Sequence, residues 1–419
     1  MSDGELTATA IASVTVNNVA PAVSAAADQT TDEGTAMSLD LTTFTDPGIL
    51  DTHTAVINWG DSTIEAGSVW ELAGDGTVSG SHIYAEDGIY TVTLTVTDDD
   101  GGADTDTLIV TVNNVAPIAD AGTDQTADEG AEVSFSGSCT DPGWFDTQVY
   151  SWDFGDGSPA TTESDDSTAT HVYGDNGVYT VTLTATDDDG GVGTDTLTVT
   201  VYNVAPTIEA GDDQVVYSGD TVSFNGSFSD PGLLDTHTIV WDLGDGTSVT
   251  DTLTFDHIYL VANTYTVTLT VTDDDGGIGM DTLTVTVQRI PIVIDIKPGC
   301  PDNVINPGSN GVTRVAILDD GTFDVTLINL DTVAFGPGKA HPIRYKFQDW
   351  DHDGDIDLML WFRTQDTGIE VGDTSAILDA DLTDGRQLRG EDMVQTVPPE
   401  HAQATQGVLS SDNKKAKAK

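Results

Sequence analysis

Lysine and arginine are absent from residues 1–288 of this 419-residue chain; Arg289 is the first basic side chain. The same stretch holds 50 of the 71 acidic residues, and the formal charge of the whole chain is −58. Such a surface repels phosphate, which excludes nucleic acid as a partner. It disfavours anionic membranes for the same reason. Without lysine, no lysine–asparagine crosslink can form within residues 1–288. Cysteine is scarce too: Cys139 and Cys300 fall in what read as different domains, so a disulfide framework is excluded. Cys139 reads as a small buried hydrophobe, because Phe44 and Phe228 hold its place in two related segments. No run is long and apolar enough to span a bilayer. Residues 1–30 lack a basic start followed by an apolar core, so no signal peptide is visible. The composition nevertheless reads as extracellular or cell-surface, and the chain as a piece of a longer protein.

Catalytic signatures are also missing. There is no G-x-S-x-G, no H-E-x-x-H and no paired C-x-x-C. His82, His171 and His257 repeat as one position and His53 and His237 as another. His401 lies in the tail, and His341 and His352 are single. Counting alone does not decide a glycosidase-type carboxylate pair, because acids are everywhere. An enzyme needs one unique cleft, however, and most acids here come in threes. The chain reads as a non-enzyme.

What is present is periodic. "VNNVAP" ends at Pro21 and Pro117, "VYNVAP" at Pro206 and a degraded "VQRIP" at Pro291. Between these marks the order is fixed. "DPG" starts at Asp46, Asp141 and Asp230; a strand with Trp59, Trp152 or Trp241 follows, then "GD", then His-x-Tyr. "YTVTLTVTDDDGG" begins at Tyr90 and Tyr265, and a one-residue variant begins at Tyr179. Closing strands such as "TDTLTVTV" alternate Thr with Val, Leu or Ile, the period of a half-buried strand. Stiff β-branched side chains favour the pleated surface. About seven short strands per unit, broken by Gly and Asp turns, imply an all-β chain of antiparallel sandwiches.

"WDFGDG" at Trp152–Gly157, "WDLGDG" at Trp241–Gly246 and the pattern His-x-Tyr…Gly-x-Tyr-x-Val-x-Leu-x-x-x-Asp resemble the polycystic-kidney-disease (PKD) repeat. The resemblance implies tandem immunoglobulin-like β-sandwiches of an extracellular protein. Repeat one departs from it: "INWGDS" lacks the second Asp-Gly, and an insert follows around "ELAGDG". The expected domains are residues 1–18, the last strand of an incomplete preceding repeat that should fray without its sheet; repeats at 19–113, 114–203 and 204–290; a β-rich C-terminal domain at 291–397; and a disordered tail at 398–419. In the sandwich, the Trp should be a core aromatic, and Tyr90, Tyr179 and Tyr265 should form tyrosine corners. Val92, Val181 and Val267 stand where a disulfide cysteine usually stands, so packing alone must hold the core.

Asp outnumbers Glu 59 to 12, which fits oxygen-ligand loops for calcium. A salt-adapted acidic surface is the alternative. In an immunoglobulin-like sandwich the "DPG" loop, the "DDDGG" turn and the incoming linker share one end. Asn18, Asp46, Asp98 and Asp100, and likewise Asn114, Asp141, Asp187 and Asp189, should therefore converge at domain junctions and hold calcium. The resemblance does not itself assign these ligands, and solvated loops that avoid aggregation are the other reading. A second candidate is "DWDHDGDID" in the C-terminal domain. Asp349, Asp351, Asp353 and Asp357 could ligate calcium through side chains and Asp355 through its backbone carbonyl. The pattern is similar to EF-hand-like loops, but Leu360 stands at the twelfth position in place of a bidentate Glu. A plain polar turn between strands is the alternative. Two functions remain: a non-catalytic structural or adhesive rod with a C-terminal cap or binding module, or the accessory region of a secreted hydrolase. The partners would be other copies or domains of a surface or matrix assembly, or a polysaccharide or protein ligand.

Overall fold

The computed structural model describes residues 4, 9–39, 42–319, 321 and 323–397. The expected tail at 398–419, and most of the first eight residues of the expected leading strand, lie outside them. Residues 9–20 form no strand, and Ile11, Val14 and Val16 are exposed. The described residues are all-β, with two short 3-10 turns. The chain divides into two compact units: residues 1–203 with 231–234, and residues 204–230 with 235–419.

In the first unit, the second repeat shows the plan most simply. One sheet has the order Gln125–Asp128, Val192–Tyr202, Gly177–Asp187, Gln148–Asp153. Its first pair is parallel and the others antiparallel. Facing it are two short ladders, Ile118–Asp120 with Ser138–Thr140 and Glu132–Ser136 with Thr168–Val172. The Thr/Val alternation does what the pleat demands. Val181, Leu183 and Ala185 on one strand and Leu197, Val199 and Val201 on its neighbour all point inward, around Trp152 and Phe135. Tyr179 is a tyrosine corner, its hydroxyl donating to the Asp175 carbonyl at 2.9 Å. Tyr90 makes the same bond to Glu86, and in the second unit Tyr265 makes it to Val261. Cys139 departs from expectation. It lies on a short outer strand, half-buried, with its sulfur 3.2 Å from the Tyr150 hydroxyl.

Repeat one keeps its motif turn despite the altered sequence: Asp61 accepts from the Thr63 amide and pairs with His82 at 2.6 Å. Its insert is a hairpin, Ile64–Leu72 with Asp75–Ser79. The two-residue turn uses Ala73 and Gly74, both at positive φ, as the twist of a tight hairpin requires. This hairpin links the layers into one eight-stranded sheet.

In the second unit, repeat three follows the same plan around Trp241, Val267 and Val285. The C-terminal domain is a seven-stranded arrangement with its own core. Strand Ile290–Ile296 belongs to both halves: Ile290–Ile292 pair with Leu388–Gly390, and Val293–Ile296 with Val315–Leu318. Strand Asp357–Arg363 is paired on both edges and almost wholly buried.

Candidate metal centres

The recurring acidic turn is first an architectural device. Asp98, Asp187 and Asp273 are buried, and each accepts the amide of the Gly four residues on, at 2.8, 2.7 and 2.7 Å. The next acid reaches the "DPG" loop. Asp99 accepts from the Thr52 amide at 3.1 Å, and Asp188 and Asp274 accept from Thr147 and Thr236 at 2.8 Å. The linker asparagine closes the arrangement: Asn18 Nδ2 donates to Asp98 at 2.9 Å and Asn114 Nδ2 to Asp187 at 3.1 Å. Many other aspartates also serve as backbone acceptors. Asp104 and Asp106 take the Val23 and Ala25 amides, and Asp195 takes that of Ala121.

At repeat one, Asp46, Asp51 and Asp98 bring carboxylate oxygens within 4.8 Å of one another. Asp100 lines the adjoining recess with Asn18, Gly48 and Asp51. Asp46 also receives the Gly48 amide at 2.6 Å and lies 3.1 Å from His53 Nε2. Burial alone would lower the His53 pKa, but the hydrogen bonds its ring donates to the carboxylates of Asp46 and Glu71 outweigh it and raise it. The Asn18 amide, with the backbone amides of the turn, holds Asp98 below the usual carboxylate range. Burial, then the neighbouring acids led by Asp46, pushes Asp51 up.

The junction between repeats one and two gathers more charge. Glu33 is 1% exposed. Its Oε1 accepts the amide of linker residue Val115 at 2.7 Å; its Oε2 accepts nothing. Asp141 and Asp146, from the second repeat's "DPG" loop, bring carboxylate oxygens within 4.8 Å of it. Asp141 Oδ1 caps the Gly143 amide at 3.0 Å, but its Oδ2 is buried without a partner. Both oxygens of Asp146 are buried without a partner, as is Asn114 Oδ1. Burial, reinforced by Glu33 and Asp141, pushes Asp146 up to about 7. Burial also raises Glu33. Asp189 joins Glu86 and Asp87 of the preceding repeat, and also Asp146 and Asp188. The repeats touch directly as well: the Trp144 amide donates to the Ala85 carbonyl at 3.1 Å. Gly34 sits at φ 65°, where an added Cβ would fall 2.6 Å from Pro142 Cβ. An all-oxygen donor set with orphaned buried acceptors fits a hard divalent cation.

Asp349–Asp357 forms the hairpin connection between Arg344–Gln348 and Asp357–Arg363. Asp357 is fully buried and its two oxygens accept the Asp319 and Trp350 amides. Asp349, Asp351 and Asp353 each use one oxygen on an amide within the loop, from His352, Asp353 and Asp355. Burial, with Asp357 and Asp353 nearby, raises Asp351. This loop is therefore knit by its own backbone, and its carboxylates are less orphaned than those of the junction.

Glu33, Asp51 and Asp146 belong to these carboxylate clusters but were not among the residues expected from sequence. Their signals were in the sequence: an Asp follows every "DPG" at a fixed spacing, at 51, 146 and 235, and "DEG" recurs at 32–34 and 128–130.

The sequence profile of the PKD domain matches residues 18–112, 114–201 and 203–287. The chain belongs to the PKD-domain family, as three tandem copies followed by a separate β-rich domain. It is similar to collagenase ColA of Clostridium perfringens (strain 13 / Type A), 33% identical over 105 residues, covering 25% of this chain and 9% of that protein. It is also similar to the microbial collagenase of Vibrio alginolyticus, 38% identical over 91 residues, covering 22% of this chain and 11% of that protein. The matched parts are thus about a tenth of those relatives' lengths. Among solved structures, the tetra-tandem repeat in the extending region of a large adhesion protein aligns with 90% of this chain and 99% of its own, at 16% identity and a TM-score of 0.36. Mouse cadherin-23 EC22-24 aligns with 65% of this chain and 99% of its own, at 16% identity and a TM-score of 0.29. No helix among the described residues is long and apolar enough to cross a membrane.

Proposed function

We propose that this chain is a non-catalytic extracellular spacer whose PKD repeats are stabilised and stiffened by calcium, with the C-terminal domain as cap or binding module. One observation carries the reading. The loop ends of the repeats collect buried carboxylates in a stretch of 288 residues that contains no lysine or arginine to neutralise them. External cations are then the available counter-charge. Calcium suits them better than magnesium, because it accepts six to eight oxygen ligands in flexible geometry. Asp349, Asp351, Asp353, Asp355 and Asp357 form a further calcium loop in the C-terminal domain. The partners are other copies or domains of a surface or matrix assembly, or a polysaccharide or protein ligand. X-ray scattering of the whole chain in excess calcium and in chelator, at matched ionic strength, tests the stiffening. A narrower distribution of dimensions in calcium is expected, and superimposable profiles would overturn it.

The collagenase matches favour a second reading, in which these repeats are the accessory region of a secreted hydrolase. Sequencing the gene upstream of Met1 separates the two. Further repeats there support the spacer of a surface assembly, and a catalytic domain supports the accessory region.

A further inference from the structure

Glu33 raises a question that the fold of repeat one does not answer. Its backbone position is occupied in repeat three by Ser218. The Glu33 amide donates to the Asn113 carbonyl and the following Gly34 to the Tyr84 carbonyl; the Ser218 amide donates to Gln288 and the following Gly219 to Tyr259. A serine therefore satisfies the sandwich at this point. There Ser218 Oγ donates to the Leu260 carbonyl and accepts the amide of Gln387, in the C-terminal domain, at 2.9 Å. Where the next element is another repeat with a "DPG" loop, the serine is replaced by a buried acid. That acid is held by the Val115 amide on one oxygen, its second oxygen has no hydrogen-bond partner, and its carboxylate lies within 4.8 Å of those of Asp141 and Asp146. Burying an ionised carboxylate against two others is unfavourable unless something positive joins them. Among the described residues of repeats one and two nothing does: residues 1–288 hold no lysine or arginine, and His53, His82 and His171 are each paired with other acids.

We propose that Glu33, Asp141 and Asp146 bind one divalent cation, calcium, across the junction, so that repeat one completes a metal site of repeat two. This rests on the calcium reading above and deepens it. Binding the ion and docking the repeats become a single event. Asp141 and Asp146 alone belong to one loop, whereas Glu33 lies 108 positions before Asp141 and reaches it only when the repeats are docked. The Val115 amide on Glu33 Oε1 fixes the linker to the same carboxylate. Gly34 permits the approach, since any larger residue would meet Pro142.

The test is calcium binding to the full chain, by titration calorimetry from the chelator-stripped state, for the wild type and Glu33→Gln. Gln keeps one oxygen for the Val115 amide and offers its NH2 to Asp141 and Asp146, so the far-ultraviolet circular dichroism should be unchanged. The expected result is the loss of one bound ion per chain, or a weakening of one site by about tenfold or more. Unaltered stoichiometry and affinity in Glu33→Gln would overturn the shared site while leaving calcium binding intact. A wild type that binds no calcium would overturn this proposal and the calcium reading together. Hydrogen exchange on the wild type decides the matter even if the variant misfolds. Calcium should slow exchange at Glu33–Gly34 and Val115 together with Asp141–Asp146; slowing confined to Asp141–Asp146 would refute the shared site.

Discussion

Replacing Asp146 by Asn should have opposite effects with and without calcium. The change preserves shape and removes one charge. At pH 8 without metal, the oxygens of Glu33, Asp141 and Asp146 lie within 4.8 Å of one another. Two unit charges at that separation repel by about 3 kcal/mol at an effective dielectric constant near 20. Loop relaxation and mobile counter-ions reduce this to about 1–2 kcal/mol. The Asn amide can also donate to the orphaned Glu33 Oε2 or Asp141 Oδ2. The variant should therefore stabilise the junction in chelator by about 1–2 kcal/mol. In calcium a hundredfold above its dissociation constant, the wild type gains about 2.7 kcal/mol from the bound ion, and the variant forfeits most of that. Melting of the full chain, followed by hydrogen exchange in the strands Gly88–Asp98 and Gly177–Asp187, should show the variant above the wild type in chelator and below it in calcium. A variant less stable under both conditions would make Asp146 a structural residue. One more stable under both would leave mutual repulsion with no cation. Either result refutes the reasoning.

Tyr179→Phe removes the hydroxyl bond to the Asp175 carbonyl and should cost repeat two about 0.5–1.5 kcal/mol, read from urea-dependent exchange of its strands. The Asp156–His171 pair supplies an acid-side dependence. Burial raises the Asp156 carboxyl, but the Ser158 hydroxyl and amide and His171 outweigh it and hold it below its ordinary value of 3.8. A depressed folded value gives stability that is present above 3.8 and lost as pH falls below it. Asp156→Asn should flatten that acid limb in repeat two, and an unchanged slope would show the pair to be inert. Asp351→Ala should weaken calcium binding at the C-terminal loop and lower the melting temperature of that domain in calcium, with little change in chelator. Equal melting of the wild-type domain in both would reduce the loop to a polar hairpin turn.

The sandwich was legible because its signals are local and repeated. Trp59, Trp152 and Trp241 are buried, Tyr90, Tyr179 and Tyr265 form corners, and Val92, Val181 and Val267 fill the core. All but Trp59, which directly follows the strand His53–Asn58, lie on a strand whose period-2 pattern leaves one side for them. Cys139 misled because a short outer strand leaves its side chain only half-covered, whereas Phe44 at the matching place is buried. The acids were harder to read. Asp98 and Asp187 recur as any ligand would, yet their carboxylates are largely taken by turn glycines and linker asparagines. Their recurrence therefore reflects turn closure first. Glu33 was hidden for the opposite reason: its partners lie in another repeat, and no spacing rule within one unit links position 33 to positions 141 and 146. The recurrence of "DEG" at 128–130 and its replacement by Ser218 at the matching place in repeat three are what mark it.

Differential scanning calorimetry of the full chain, in calcium and in chelator at equal ionic strength, tests most directly whether cations hold these repeats. A magnesium sample at the calcium concentration completes the comparison, because general screening alone would stabilise a chain of charge −58. Carboxylates clamped by calcium predict repeat transitions that rise in calcium, and rise less in magnesium. Thermograms that superimpose in calcium, magnesium and chelator would contradict it.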